Sequence, residues 1–251
     1  MPSFQHDDLE ISYLDEGEGE PIVLVHGFAS NKEINWVLPG WTAALKRAGR
    51  RVILLDNRGH GQSSKPHDPK AYDMPRMAGD TLALLDHLKL DRADYLGYSM
   101  GGRIGMFLAL RHPDRIRSSA LGGIGSSIIT GPGRRDQIVA ALEAKSADEI
   151  ADPVAKQFRV FAEQTKSDLK ALIACMEGLR HQFSAEELAS CRVPMLIVRG
   201  GDDDDIAGPI EDIARIIPGC EYIEIPNRNH MTAVGDRAFK GGVADFLKQR
   251  P

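Results

Sequence analysis

Short apolar runs alternate with longer amphipathic stretches along most of this chain. Four runs have the length and continuity of strands buried on both faces, and they comprise residues 21–26, 51–56, 93–98 and 194–199. Weaker strand patterns cover residues 9–14, 118–123 and 221–225. Apolar residues recur at helical spacing in the stretches 41–48, 77–88, 103–112, 210–217 and 239–248. This alternation predicts an α/β fold whose mostly parallel central sheet is covered by helices on both faces.

The segment from residue 128 to residue 190 interrupts this alternation. It contains no convincing strand pattern, and its amphipathic helical stretches comprise residues 134–144, 147–164, 167–179 and 184–189. Asp148 and Ser167 stand where helix-capping residues belong. Because open α/β sheets bind ligands at the carboxyl edge of their strands, we expect this insertion to form a small helical cap there. Two peripheral helices without a role in binding are the alternative. The predicted domains are a core of residues 1–127 and 191–251 and a cap of residues 128–190.

The stretch Gly97-Tyr98-Ser99-Met100-Gly101 fits the pattern Gly-x-Ser-x-Gly and lies between a predicted strand and a predicted helix. That context is typical of a nucleophile elbow, in which a sharp turn holds the serine in a strained conformation. Gly97 and Gly101 leave room for the strand and the helix to approach each other. We therefore expect an exposed Ser99 hydroxyl at the carboxyl end of a central strand. A plain turn of small residues is the alternative.

A serine hydroxyl needs a base to become a nucleophile, and the base needs an orienting acid. Where an elbow carries the serine, the chain order is serine, acid, histidine. Three histidines follow Ser99, namely His112, His181 and His230. His112 ends the elbow helix and His181 lies in the insertion, whereas His230 follows the last strand. The order therefore predicts His230 as the general base.

The acid is expected in the loop after the strand at residues 194–199. This loop contains four consecutive aspartates, Asp202 to Asp205. They cannot all point inward, because like charges would raise one another's pKa. The pattern alone does not choose among them. A calcium site is disfavoured, since consecutive side chains do not converge as spaced oxygen ligands do.

An oxyanion hole requires two backbone amides. One belongs to the residue after the nucleophile, Met100, and the other to the loop after the first buried strand. That loop reads His26-Gly27-Phe28, where Gly27 allows the backbone to turn. The predicted donors are therefore the amides of Phe28 and Met100, and the alternative is a plain turn that ends the strand.

Taken together, these pieces resemble the α/β-hydrolase fold superfamily over essentially the whole chain. The matching stretches are residues 26–28, 56–63, 97–102, 112–116, 201–205 and 229–231. In that family the stretch corresponding to residues 56–63 is structural, and the acid falls three residues after a glycine. Gly201 selects Asp204 as the first choice, and Gly200 would select Asp203 as the second. Asp205 fits the additional polar residue that often follows the acid.

The resemblance also implies a reaction. Relatives that use aspartate at the elbow, such as haloalkane dehalogenases and epoxide hydrolases, are excluded by Ser99. The implied enzyme is a serine hydrolase that cleaves small to medium carboxylic esters through an acyl-enzyme. Lactonases, carbon–carbon bond hydrolases, thioesterases and perhydrolases of the same fold are alternatives. A signalling receptor that retains the triad is a hypothesis from another class, and an inert homologue is disfavoured because every triad element is present.

Composition narrows the partners of this chain. A net charge of −5 argues against nucleic-acid binding, and no apolar run reaches the roughly 20 residues of a membrane span. Residues 1–8 do not resemble a signal peptide, and three widely spaced cysteines fit reduced thiols, so a cytoplasmic location is expected. No metal-ligand spacing and no cofactor motif appears in the sequence. The expected partner is a small-molecule ester, with no cofactor, and the oligomeric state is left open.

Overall fold

Eight strands pair into one sheet in the computed structural model, which describes residues 1–131 and 133–250. They are β1 (Ser3–His6), β2 (Leu9–Glu16), β3 (Glu20–Val25), β4 (Arg50–Leu55), β5 (Ala93–Tyr98), β6 (Ile116–Gly122), β7 (Met195–Gly200) and β8 (Glu221–Ile225). Their spatial order is β1-β2-β4-β3-β5-β6-β7-β8. β2 pairs antiparallel with both its neighbours, and the strands from β4 across to β8 are parallel. The predicted mostly parallel α/β sheet is confirmed, and β1 is the strand that the pattern missed.

Within the described residues, ten α-helices connect or flank these strands. They are α1 (Trp41–Arg47), α2 (Met74–His87), α3 (Met100–Arg111), α4 (Ser127–Thr130), α5 (Arg135–Glu143), α6 (Pro153–Gln164), α7 (Leu169–Gly178), α8 (Ala185–Ala189), α9 (Glu211–Ala214) and α10 (Arg237–Lys248). Short 3₁₀ turns cover Pro69–Tyr72, Ala147–Glu149 and Ala233–Gly235, and a π-helical turn covers Glu33–Val37.

Two predicted helix starts are wrong. The predicted helix 147–164 divides into a 3₁₀ turn and α6, because Pro153 lacks an N–H group and fits only the first turn of a helix. The capping residue of α6 is Asp152, whose carboxylate accepts from the Ala155 amide. At α7 the cap is Asp168 rather than its neighbour Ser167. A capping side chain must reach an amide two or three residues ahead, and that geometry depends on the backbone, not on the residue type alone.

The central strands of the sheet are buried on both faces. Ile22 and Leu24 of β3 pack with α1 and α10, whereas Val23 and Val25 point into the cluster that contains α2 and α3. All four side chains are at most 1% exposed. Burial on both sides explains why these strands appear in the sequence as continuous apolar runs.

The helices α4 to α8 all lie between β6 and β7 in the chain. α4 begins one residue before the predicted helical segment 128–190, and α5 to α8 lie inside that segment. Their apolar side chains do not form a separate core. Ile138, Phe158 and Leu172 belong to the same buried cluster as Met100 and Ile104 of α3. The described helices of this segment are therefore held to the core by shared apolar burial. Its role as a cap stays a prediction, and residue 132 lies outside the described part of the chain.

Across residues 1–131 and 133–250, no helix has both the length and the apolar character needed to cross a bilayer.

The junction of β5 and α3 is the tightest part of the fold. A Cβ atom on Gly101 would lie 2.0 Å from the carbonyl oxygen of Val25, and one on Gly97 would lie 2.3 Å from that of Gly101. Between them, Ser99 has φ 53° and ψ −110°, a conformation that few L-residues adopt. These contacts confirm the predicted sharp turn between strand and helix.

We expect Gly101→Ala to destabilise the protein, because its methyl group would overlap the backbone of β3. The expected loss is about 3 kcal/mol in the free energy of unfolding, measured by urea denaturation. Gly241→Ala is the matched control, since Gly241 lies in α10 with no atom within 4 Å of an added Cβ. That change should stabilise by roughly 0.5–1 kcal/mol. Equal effects of the two substitutions would contradict the close packing at the junction.

Candidate active site

Ser99, His230 and Asp203 form a continuous hydrogen-bonded chain. The Ser99 Oγ atom lies 2.8 Å from His230 Nε2, and His230 Nδ1 lies 2.8 Å from Asp203 Oδ2. His230 and Asp203 are buried, at 8% and 2% exposure. A buried carboxylate can only accept, so it favours the tautomer with the proton on Nδ1. The Nε2 atom is then left to accept the hydroxyl proton of Ser99.

The first-choice acid, Asp204, is wrong as the partner of His230. Its side chain is 77% exposed and accepts from Arg199 Nη1 at 2.8 Å. The second choice, Asp203, occupies the position instead. β7 ends at Gly200, where a Cβ atom would lie 2.1 Å from the Arg228 carbonyl oxygen, so only glycine fits there. Asp203 is the third residue after this glycine. The Asp203 amide donates back to the Gly200 carbonyl at 3.2 Å, which closes a turn, and the Asp203 side chain is buried.

The other aspartates of this loop point away from His230. Asp202 is exposed, and Asp205 accepts from Arg134 Nη2 at 2.7 Å. Within the described residues, no three histidine, cysteine, aspartate or glutamate side chains are grouped so that they could hold a metal ion. Burying one carboxylate and leaving three at the surface avoids the mutual repulsion expected of a tight acidic run.

The other two downstream histidines lie elsewhere. His112 follows the last residue of α3, at the opposite end of the helix from Ser99. The His181 ring packs edge-on against Phe107 and Phe183, at 5.3 Å and 4.7 Å between ring centroids. Neither contacts Ser99, as the chain order predicted.

Tyr98 is a site residue that the sequence reasoning missed. Its hydroxyl donates to the His230 carbonyl oxygen at 2.6 Å, and its ring centroid lies 5.5 Å from that of His230. Burial raises the pKa of this hydroxyl well above its usual value, so the hydroxyl stays protonated and can donate. A tyrosine at the end of a fully buried strand was the available signal, because a buried hydroxyl needs a partner. The contact fixes the loop that carries His230.

The loop after β3 lies directly beside the elbow. A Cβ atom on Gly27 would lie 3.3 Å from the Ser99 Cβ atom, so a larger residue would crowd the serine. His26 secures this loop: its Nδ1 donates to the Gly27 carbonyl at 2.8 Å, and its Nε2 accepts from the Asn57 amide at 3.0 Å. Burial lowers the pKa of His26, so the ring remains neutral and can make both bonds.

The turn after β4 supports that loop in the same way. Asp56 accepts from the Lys32 and Gln62 amides at 2.8 Å and 2.9 Å, and it also pairs with the Lys32 ammonium group. A Cβ atom on Gly61 would lie 2.3 Å from this carboxylate, so only glycine fits there. These contacts are consistent with a structural role for residues 56–63.

Two spaces have Ser99 in their walls. The larger, here called the large cleft, has a volume of about 740 Å³ and is lined by His230 and by residues of α6, including Phe161. The smaller, here called the small pocket, has a volume of about 60 Å³ and is lined by Met100 and mainly by apolar side chains. Phe28 and Phe158 line both spaces, with ring centroids 6.1 Å apart.

The predicted amide donors belong to residues at this junction. Phe28, Ser99 and Met100 all line the small pocket. In the described part of the chain, neither the Phe28 nor the Met100 amide donates to a protein acceptor. Met100 begins α3, and the first amides of a helix have no acceptor within that helix.

The chain is similar in sequence to known proteins. A family model described as "alpha/beta hydrolase fold" matches residues 20–172. The chain is 31% identical over 229 residues to a dihydrolipoyllysine-residue acetyltransferase component of an acetoin cleaving system from Pseudomonas putida. That match covers 85% of this chain but only 59% of the length of the relative.

For two further relatives, the match covers a larger share of the other protein. The chain is 28% identical over 219 residues to 3-oxoadipate enol-lactonase 2 from Acinetobacter baylyi, which is 79% of each protein. It superposes on the crystal structure of the enol-lactonase from Burkholderia xenovorans with a TM-score of 0.80 at 28% identity. That superposition covers 98% of this chain and 100% of the other.

The two neighbouring aspartates provide a test of the hydrogen-bonded chain. Asp203→Asn keeps the size of the side chain but removes the charge that orients His230, and it should lower the kcat of ester hydrolysis by roughly 10⁴-fold. Asp204→Asn is the matched control and should change kcat by less than about threefold, because an exposed ion pair contributes little. A dominant loss at Asp204, or equal modest losses at both positions, would contradict the arrangement described above.

Proposed function

We propose that this chain, which belongs to the α/β-hydrolase family, is a serine hydrolase that cleaves carboxylic esters through an acyl-enzyme. The observation that carries the proposal is the hydrogen-bonded chain from Ser99 through His230 to Asp203, with Ser99 open to an apolar pocket. Its relatives include hydrolases with substantial coverage of both chains. The choice of esters is inferred from the geometry of the site.

The proposed reaction begins when Ser99 Oγ attacks the ester carbonyl carbon and His230 Nε2 takes the hydroxyl proton. Asp203 holds the imidazole in place and stabilises its positive charge. The amides of Phe28 and Met100 donate to the oxyanion that forms on the carbonyl oxygen. The tetrahedral intermediate then collapses, the bond to the alcohol breaks, and His230 gives its proton to the leaving oxygen. Water repeats the sequence on the acyl-enzyme and releases the acid.

The two spaces at Ser99 suggest how the ester is oriented. The leaving alcohol must lie near His230, because that residue donates the proton to it. His230 lines the large cleft but not the small pocket. The alcohol therefore occupies the large cleft, and the acyl group enters the small pocket, whose volume of about 60 Å³ suits a short chain.

Residues 128–190 take part in this site as a cap in the proposed scheme. Phe158 and Phe161 of α6 contribute to the wall of the large cleft, and Ile138 of α5 to that of the small pocket. Closing the site with these side chains would exclude water and strengthen the interactions at the oxyanion.

Lactone hydrolysis is the second candidate. It uses the same bonds, except that acid and alcohol remain joined after the ring opens, so one small substrate would have to span both spaces. Two of the relatives are named as enol-lactonases, which supports this candidate.

The nucleophile is tested by covalent labelling. A serine-reactive organophosphonate should add one label to the wild type at Ser99, seen by mass spectrometry of the intact protein and its peptides. Ser99→Ala should take up no label and lose at least about 10⁴-fold in kcat while keeping its unfolding midpoint. Ser3→Ala, on the edge strand β1, is the control and should be labelled and active like the wild type. Labelling at another serine, or turnover far below about 1 s⁻¹ on every ester and lactone tried, would overturn the enzyme proposal.

The orientation of the ester predicts unequal tolerance of its two halves. Lengthening the alcohol by methylenes should raise kcat/KM by about fourfold per group until the large cleft is filled, which corresponds to about 0.8 kcal/mol each. Lengthening the acyl group beyond about four carbons should lower kcat/KM. Leu179→Ala, which enlarges only the small pocket, should shift the acyl optimum to longer chains. Phe161→Ala, which enlarges only the large cleft, should leave that optimum unchanged. The reverse pattern would show that the ester binds the other way round.

A further inference from the structure

Five cationic side chains of the described residues are buried, and they are Lys32, Arg58, Arg103, Arg159 and Arg199. Four of them form an ion pair with a carboxylate. Arg103 is the exception: no carboxylate oxygen within residues 1–131 or 133–250 lies within 4.0 Å of it. A buried charge without a counter-charge is costly, so its presence calls for a reason.

Arg103 lies one helical turn after Ser99 on α3 and is 7% exposed. Two of its N–H groups donate to the same acceptor, the Ser127 carbonyl oxygen, at 3.2 Å and 2.7 Å. A carbonyl carries only a partial charge, and a guanidinium has five N–H groups. Burial lowers the pKa of Arg103 to about 10, which still leaves the side chain charged at neutral pH. The guanidinium therefore stays charged and has N–H groups that can still donate to another acceptor.

Arg103 forms part of the wall of the small pocket. The same wall contains Ser99 and a set of apolar side chains, namely Ile124, Ile138, Phe158, Met176, Leu179 and Ile206. An apolar group alone would leave the guanidinium without a counter-charge inside the complex. An anionic group at this place would form a charge-assisted, bidentate hydrogen bond of the kind that arginine makes best with carboxylates.

We infer that the small pocket binds an acyl group that ends in a carboxylate, with Arg103 as its partner. The substrate class is then the half-ester of a short dicarboxylic acid. Ser99 and Arg103 are four residues apart and both line this pocket, so a short acyl chain on Ser99 Oγ lies in the same pocket as the arginine. A volume of about 60 Å³ holds a few non-hydrogen atoms, which agrees with such a chain. The placement of the acyl group rests on the proposed function.

A purely structural role for Arg103 is the competing explanation, because its bonds to Ser127 anchor the start of α4. Loss of activity in a variant would not separate the two explanations. A pair of esters that differ only in the charge of the acyl end separates them, since a structural defect affects both equally.

The test compares 4-nitrobenzyl hydrogen succinate with 4-nitrobenzyl levulinate, in which a methyl ketone replaces the carboxylate at nearly the same size. The kcat/KM of each is measured from the released alcohol by chromatography. The wild type should favour the succinate by at least about tenfold. Arg103→Gln should lose roughly 10- to 100-fold on the succinate, as expected for hydrogen bonds to a charged group, and less than about threefold on the levulinate. Arg103→Lys should retain part of the preference for the succinate, because lysine keeps the charge but lacks the two parallel N–H groups that bind a carboxylate.

Arg111→Gln is the matched control, since Arg111 lies on the same helix but pairs with Glu187 at the surface. Its succinate-to-levulinate ratio should equal that of the wild type. Equal losses of Arg103→Gln on both esters, or no preference in the wild type, would overturn the inference and assign Arg103 to structure alone.

Binding to the Ser99→Ala variant separates this inference from the proposed reaction. Titration calorimetry should show tighter binding of the succinate than of the levulinate, and Arg103→Gln in the Ser99→Ala background should abolish the difference. If the wild type hydrolyses neither ester and this difference in binding is still seen, the carboxylate site is supported and the proposed ester hydrolysis is rejected. Equal binding of both esters to Ser99→Ala would overturn the carboxylate site even in an active hydrolase.

Discussion

The close packing of α3 against the ends of β3 and β5 is the constraint on which the rest of the site depends. Gly101 lies so near the Val25 carbonyl that no side chain fits, and Gly97 faces Gly101 in the same way. The chain therefore turns from strand to helix within one residue, and Ser99 adopts a positive φ. Such strain persists only where the surrounding structure holds it, and here the Ser99 amide is also bonded to the Gly122 carbonyl.

Parallel strands bring the remaining groups to this point. β3, β7 and β8 all end at the same edge of the sheet as β5, and the loops that follow them carry Phe28, Asp203 and His230. Residues that are far apart in sequence, such as Ser99 and His230, therefore lie within hydrogen-bond distance. Tyr98 ties two of these elements together, because its hydroxyl bonds to the backbone of His230.

Charge is distributed unevenly around this edge. Of four adjacent aspartates only Asp203 is buried, while Asp204 and Asp205 pair with Arg199 and Arg134. Arg134 also bonds to Asp152, so the aspartate loop is linked to the helices inserted between β6 and β7. The buried Arg103 has no such partner among the described residues, although it lies in the wall next to Ser99. An anionic ligand would give Arg103 the counter-charge that the other buried cations receive from carboxylates of the protein.

Local chemistry was enough for the sequence to determine the α/β sheet, the elbow at Ser99 and the choice of His230. Continuous apolar runs indicate strands that are buried on both faces of the sheet. Glycines on either side of a serine indicate that the strand and the helix pack closely there. The register of the aspartates, the first residues of α6 and α7, and the partners of Tyr98 and Arg103 were decided by tertiary structure. These features depend on which atoms from distant segments come together: the Arg228 carbonyl leaves room only for glycine at position 200, and Asp203 rather than Asp204 bonds to His230. Neither contact is visible in a local sequence pattern.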